Sequence, residues 1–212
     1  MGLEVAVGST PAAVRSARLA KELAWASADK PMFCVVSPIA PPRLWRVVAD
    51  GVRSATETAF VETPGGTAAL ERAVAAGAQH LARLSSALIE PHLRLDAQLA
   101  AMVVSGDKAH IAVSSGMRVY RARNGEPQRL MNHGNRSPGI SHGGLHVSTE
   151  RLLRGDLFVF GSRDGFAMPS IGAMATTLAQ RPDAPAKDLC DAMLRSCRSA
   201  SMSAGVVVLR VR

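Results

Sequence analysis

The residues best able to do chemistry in this chain sit where apolar runs stop. "LFVFGSRDGF" leads Leu157, Phe158, Val159 and Phe160 into Ser162, Arg163, Asp164 and Gly165. An aspartate at the end of a buried strand suits a hard divalent cation, which takes charged oxygen ligands. An arginine in the same place does the opposite, because it stays protonated and binds anions. Other stretches raise the same question. "VRSARLAKE" offers Arg15 ahead of Arg18, Leu19 and Ala20, and "MFCVVSPIA" ends an apolar run on Ser37 and Pro38. "AVSSGMRVY" passes through Ser115, Gly116 and Met117 to Arg118 and Tyr120, and "SASMSAGVVV" sets Ser201, Met202 and Ser203 before a valine run. Asp50 lies in "RVVADG" and Asp156 in "RGDL". His133, His142 and His146 fall in "NHGNRSPGISHGGLH", where glycines interrupt the zinc-like spacing of the last two, so a loop with surface imidazoles is expected. At "SSGMR" no Gly-x-Ser-x-Gly elbow supports a nucleophilic serine, and "GSTPAAVR" and "TPGGT" lack the Gly-x-x-x-x-Gly-Lys of a phosphate loop.

The elements that must position these residues follow from composition and pattern. The chain has 212 residues, 47% of them hydrophobic and only 4% aromatic, so Ala, Val, Leu and Met must fill a core sized for one domain. A net charge of +8 raises the question of nucleic acid, but the basic residues are scattered without aromatic interleaving, and no nucleic-acid partner is expected. Cys34, Cys190 and Cys197 have no ligand spacing and read as buried free thiols of a cytoplasmic protein. No apolar run reaches the roughly 20 residues of a membrane span, so no membrane partner is expected.

"LEVAVGS" and "PMFCVVS" read as strands, and the segment between them as a helical or extended arm. Leu44, Val47, Val48 and Val52 recur at helical spacing, and a long alanine-rich helix is predicted from Thr67 to Leu88. Ser-Gly-Asp-Lys and Asn-Gly-Glu then punctuate an expected antiparallel meander of strands. "DLFVFGS" is a further strand, "DAPAKDLCDAMLRSCRSA" a capped helix and "AGVVVLRVR" a final strand. Helices in blocks and antiparallel strands predict an α+β fold, an α-β-β-α sandwich over residues 1–212.

In this order the fragments resemble the metal-dependent serine/threonine phosphatases of the protein phosphatase 2C family, including small bacterial members. The likeness runs through "VRSARLAKE", "MFCVVSPIA", "AVSSGMRVYRA", "RGDLFVFGSRDGF" and "SASMSAGVVVLRVR". It implies two sheets whose strand-end acids hold two Mg²⁺ or Mn²⁺ ions bridging an attacking water. It also implies that Arg15 stands where the family has an arginine near the substrate phosphate. Set against that pattern, Leu19, Ala20, Ser37, Gly116, Arg163, Ser201, Met202 and Ser203 fall where the family carries its metal-site residues.

The expectation is therefore a catalytically inactive phosphatase-like module with no cofactor, which binds a protein partner such as a phosphoprotein or a serine/threonine kinase. Arg15 and Arg163 are its candidate anion-binding pair. The alternatives are an active phosphatase using Asp50, Asp156 or Asp164 with Mg²⁺ or Mn²⁺, and a structural subunit of a larger assembly.

Overall fold

In the computed structural model the described residues are 2–10, 21–61, 66–88, 93–114, 116–131, 139–142, 145–162, 166, 168–200 and 202–212, with the backbone alone described at 168 and 169. Strands β1 (Leu3–Thr10), β2 (Leu23–Ala26) and β3 (Met32–Ile39) come first, followed by helices α1 (Trp45–Ala59) and α2 (Thr67–Ser86). Strands β4 (Asp96–Ser105), β5 (Lys108–Val113), β6 (Met117–Arg123), β7 (Glu126–Arg129), β8 (His146–Arg151) and β9 (Leu157–Ser162) follow. Helices α3 (Met168–Gln180) and α4 (Ala186–Ser199) lead into the last strand, β10 (Ala204–Val211).

The strands form two antiparallel five-stranded sheets, one ordered β1-β10-β9-β6-β7 and the other β2-β3-β4-β5-β8. The four helices complete the sandwich. One face of the second sheet packs Cys34, Val36, Leu99 and Ala101 against Val48, Val52, Leu70 and Val74 of α1 and α2. Between the sheets lie Val35, Met102, Ile111, Phe158, Phe160 and Val207. The outer face of the first sheet covers Leu157, Val159, Val206 and Val208 with Leu178, Leu189 and Met193 of α3 and α4. Alternation along β9 divides Phe158 and Phe160 from Leu157 and Val159, and all four are at most 1% exposed because helices cover the sheet's other face.

Several elements differ from the sequence reading, for physical reasons. The four central strands are not a meander within one sheet. β4 and β5 pair in the second sheet, whereas β6 crosses the sandwich to pair with β7 and β9 in the first. Gly116 lies at that crossing with φ 84°, a left-handed conformation open to glycine and strained for an aspartate. β2, β8 and α3 escape the sequence reading because they are short, half-exposed or built from small residues with little contrast between faces. The first turn of α4 has no local side-chain cap, and Glu4 of β1 instead accepts the Ala186 N–H at 2.6 Å. Cys34, Cys190 and Cys197 are free and buried. Among the described residues no helix is long and apolar enough to cross a membrane.

Candidate functional site

Antiparallel register gathers one set of strand ends. Thr10 opposes Ala204, Leu23 opposes Val36, Ser37 opposes Gln98, and Met117 opposes Ser162. These pairs therefore lie at a common end of both sheets. Ser37 and Ser203, both named from the sequence, meet there on a residue that the sequence reading passed over. That residue is Glu22, the last before β2.

The Glu22 side chain is turned inward and the residue is only 2% exposed. Ser37 Oγ donates to its Oε1 at 3.4 Å, and Ser203 Oγ donates to its Oε2. Ser203 Oγ in turn accepts the Lys21 N–H at 3.3 Å. Two sheets thus contribute one hydroxyl each to a single carboxylate. Gly205, one residue into β10, makes room for it: a Cβ there would lie 3.0 Å from Glu22 Cβ and 2.9 Å from Val35 Cγ1. Ser9 completes the surroundings, its Oγ accepting the Ala24 N–H at 3.2 Å.

Beside this clasp opens a cleft of about 230 Å³, floored by Ser9, Glu22 and Leu23 and walled by Arg46, Ala49, Asp50 and Arg53 of α1. Asp50 stands on a helix, as the spacing of its neighbours predicts, and pairs with Arg46 at 3.1 Å on the exposed face. Asp156 lies at the other end of β9, away from the clasp, and is 1% exposed. Its Oδ1 accepts Arg123 Nε at 2.7 Å, and its Oδ2 accepts Arg123 Nη2 at 2.8 Å and the Leu153 N–H at 2.9 Å. That geometry closes a turn and leaves the carboxylate facing a guanidinium.

Arg118 and Tyr120 of β6 both meet Phe166. Arg118 Nη1 donates to the Phe166 carbonyl at 3.2 Å, and the Tyr120 ring stacks on Phe166 at 5.0 Å between centroids. Gly116 sits over the Gln98 side chain, and Met202 is half-buried beside the core under α4. Arg15, Leu19, Ala20, His133, Arg163, Asp164 and Ser201 lie outside the described residues.

A second buried acid, Asp96, starts β4 at the same end of the sheet. It accepts the Ser141 N–H at 3.1 Å and faces His142 Nδ1 at 2.9 Å. His142 belongs to a 3₁₀ turn that inserts Ile140 into the core, so this imidazole is anchored, while His146 is an exposed residue of β8. The signals for Glu22 and Asp96 were present in the sequence, each an acid directly preceding an apolar run.

The architecture is that of the protein phosphatase 2C type of serine/threonine phosphatase. A serine/threonine phosphatase of Mycobacterium tuberculosis, PstP, superposes with a TM-score of 0.76 over 99% of both chains at 21% identity. The catalytic domain of PstP in complex with two manganese ions gives 0.81 over 99% of both chains at 19% identity. The serine/threonine phosphatase of S. agalactiae gives 0.80 over the whole of both chains at 14% identity. No protein-family model and no curated protein sequence matches the chain.

Proposed function

We propose that this chain is a catalytically inactive relative of the protein phosphatase 2C enzymes, acting as a binding or regulatory module toward a phosphoprotein or a serine/threonine kinase. The observation that carries this reading is the Glu22 clasp. A two-metal phosphatase centre needs several charged oxygens around each hard cation, and Mg²⁺ in particular demands near-octahedral coordination. Among the described residues this end offers the carboxylates of Glu22 and Asp96; the hydroxyls of Ser37 and Ser203 donate to Glu22, and Asp96 is taken up by the Ser141 N–H and His142. Serine hydroxyls are neutral and cannot balance the charge of two divalent ions. Among the described residues no three His, Cys, Asp or Glu side chains converge as a metal-binding group. The described donor set does not fit a manganese pair like the one that the PstP catalytic domain carries.

The active-enzyme reading draws its support from the cleft, where Asp50 and Glu22 line one wall and floor. Against it, Asp50 is spent on Arg46 and Asp156 on Arg123 at the opposite end. One experiment separates the two. Purified protein with millimolar Mn²⁺ or Mg²⁺ should release no phosphate from a phosphoserine peptide or an aryl phosphate above background. Metal-dependent release abolished by Asp50→Asn or Asp164→Asn overturns the inactive reading. For the binding role, a phosphorylated peptide should be retained more tightly than its unphosphorylated form, and Arg15→Ala and Arg163→Ala should each weaken that difference.

A further inference from the structure

We propose that Glu22, clasped by Ser37 and Ser203, is a brace that ties the ends of the two sheets together without a metal ion. The inference rests on the proposed reading only in taking this end of the sandwich to work without metal ions. Three observations converge on it. First, the partners come from separate sheets: Ser37 lies two residues before the end of β3 in one, Ser203 directly precedes β10 in the other, and Glu22 precedes the edge strand β2. Second, the bonds are buried, with Glu22 2%, Ser37 5% and Ser203 5% exposed. A buried carboxyl or hydroxyl that loses its partner bears the full desolvation cost of a polar group. Third, the backbone is shaped to the carboxylate's stem, because Gly205 leaves the space that a Cβ would take from Glu22 and Val35.

The edge strand β2 gives the brace something to hold. It is only four residues long and, among the described strands, pairs with β3 alone, so few ladder bonds fix it. The Ser203 hydroxyl, accepting from Lys21 N and donating to Glu22, joins the approach to β2 to the start of β10. Without the clasp, the start of β2 keeps the Ala24 N–H bond to Ser9 Oγ as its remaining described link of this kind to the other sheet.

The same geometry makes a reciprocal prediction. Replacing the two hydroxyls by carboxylates sets three acids around one point, which is mutually repulsive without a cation and an oxygen site for a hard divalent ion with one. The test is a set of thermal melts of the whole chain in EDTA and in millimolar MnCl₂, with Mn²⁺ binding read by calorimetry. Wild type should melt at the same temperature in both. Glu22→Gln and Ser203→Ala should each lower the midpoint by at least about 3 °C in EDTA, the scale of one buried polar group left without its partner in a chain of this size. Asp50→Asn, on the exposed helix face, should stay within about 1 °C. The Ser37→Asp/Ser203→Asp double variant should melt lower in EDTA and recover with Mn²⁺. Should it not fold, Ser203→Asp alone should show the same opposite responses in smaller measure.

Melts of Glu22→Gln and Ser203→Ala that coincide with wild type would overturn the brace. So would a wild-type midpoint that falls in EDTA, or acid variants indifferent to Mn²⁺. Phosphate release by the wild-type protein would sink the proposed function instead, leaving the Glu22→Gln and Ser203→Ala melts to decide the brace.

Discussion

Replacing Asp156 by alanine removes a buried carboxylate that receives three hydrogen bonds, at 2.7 and 2.8 Å from Arg123 and 2.9 Å from the Leu153 N–H. Net hydrogen bonds to charged groups contribute about 1.5–3 kcal/mol. Arg123 is 36% exposed, so solvent screens its share and the forked pair belongs at the low end of that range. Adding about 1–1.5 kcal/mol for the orphaned Leu153 N–H gives a total cost near 3 kcal/mol for Asp156→Ala. In a chain of this size that corresponds to a fall in Tm of about 6–12 °C. Asp156→Asn keeps an acceptor for Leu153 and loses the charge, so it should cost about 1.5–2 kcal/mol. Urea unfolding of Asp156→Ala, Asp156→Asn, Arg123→Met and the double variants closes a mutant cycle, with a coupling of about 1 kcal/mol expected between the two side chains. Costs below about 0.5 kcal/mol, or strict additivity with Arg123→Met, would refute the assignment of Asp156 to turn closure. Binding at the Glu22 end should be unchanged in Asp156→Asn, because the two carboxylates lie at opposite ends of the sandwich.

The remaining expectations are briefer. His110 is buried and its pKa lies below the usual imidazole value, because burial and then Lys108 disfavour the cation. A depressed pKa leaves the folded state with fewer bound protons than the unfolded chain, so this contribution is present above pH ~6.5 and is lost as pH falls toward the folded pKa. His110→Gln should flatten that part of the stability–pH curve, as read by urea midpoints between about pH 7 and 5. Glu4 accepts from Ala186 N and pairs with Arg212, so Glu4→Ala should speed hydrogen exchange in the first turn of α4 while Glu4→Gln, which retains an acceptor, should speed it less. Burial raises the Cys190 thiol to about 12 and pushes Cys34 well above its ordinary value. Neither should react with a thiol reagent in the native protein, and both should react on unfolding.

Much of this molecule was legible one segment at a time. The alternation from Leu157 to Phe160, the Val48 and Val52 spacing of α1 and the alanine-rich run of α2 are local patterns, each set by which side of one element meets apolar surface. The sequence likewise carried Ser37 and Ser203 as strand-end residues. What they meet was decided elsewhere. Glu22 lies 181 positions from Ser203, and Glu4 lies 182 from the Ala186 N–H that it caps. No periodicity reports such a pairing, because it depends on which strands close into one sheet and at what register. The crossing of β6 into the other sheet is of the same kind: the turn residues announce a break in the chain, but not the direction in which it leaves. Short-range burial writes the elements into the sequence, whereas the clasp exists only once antiparallel pairing has brought the ends of both sheets to one place.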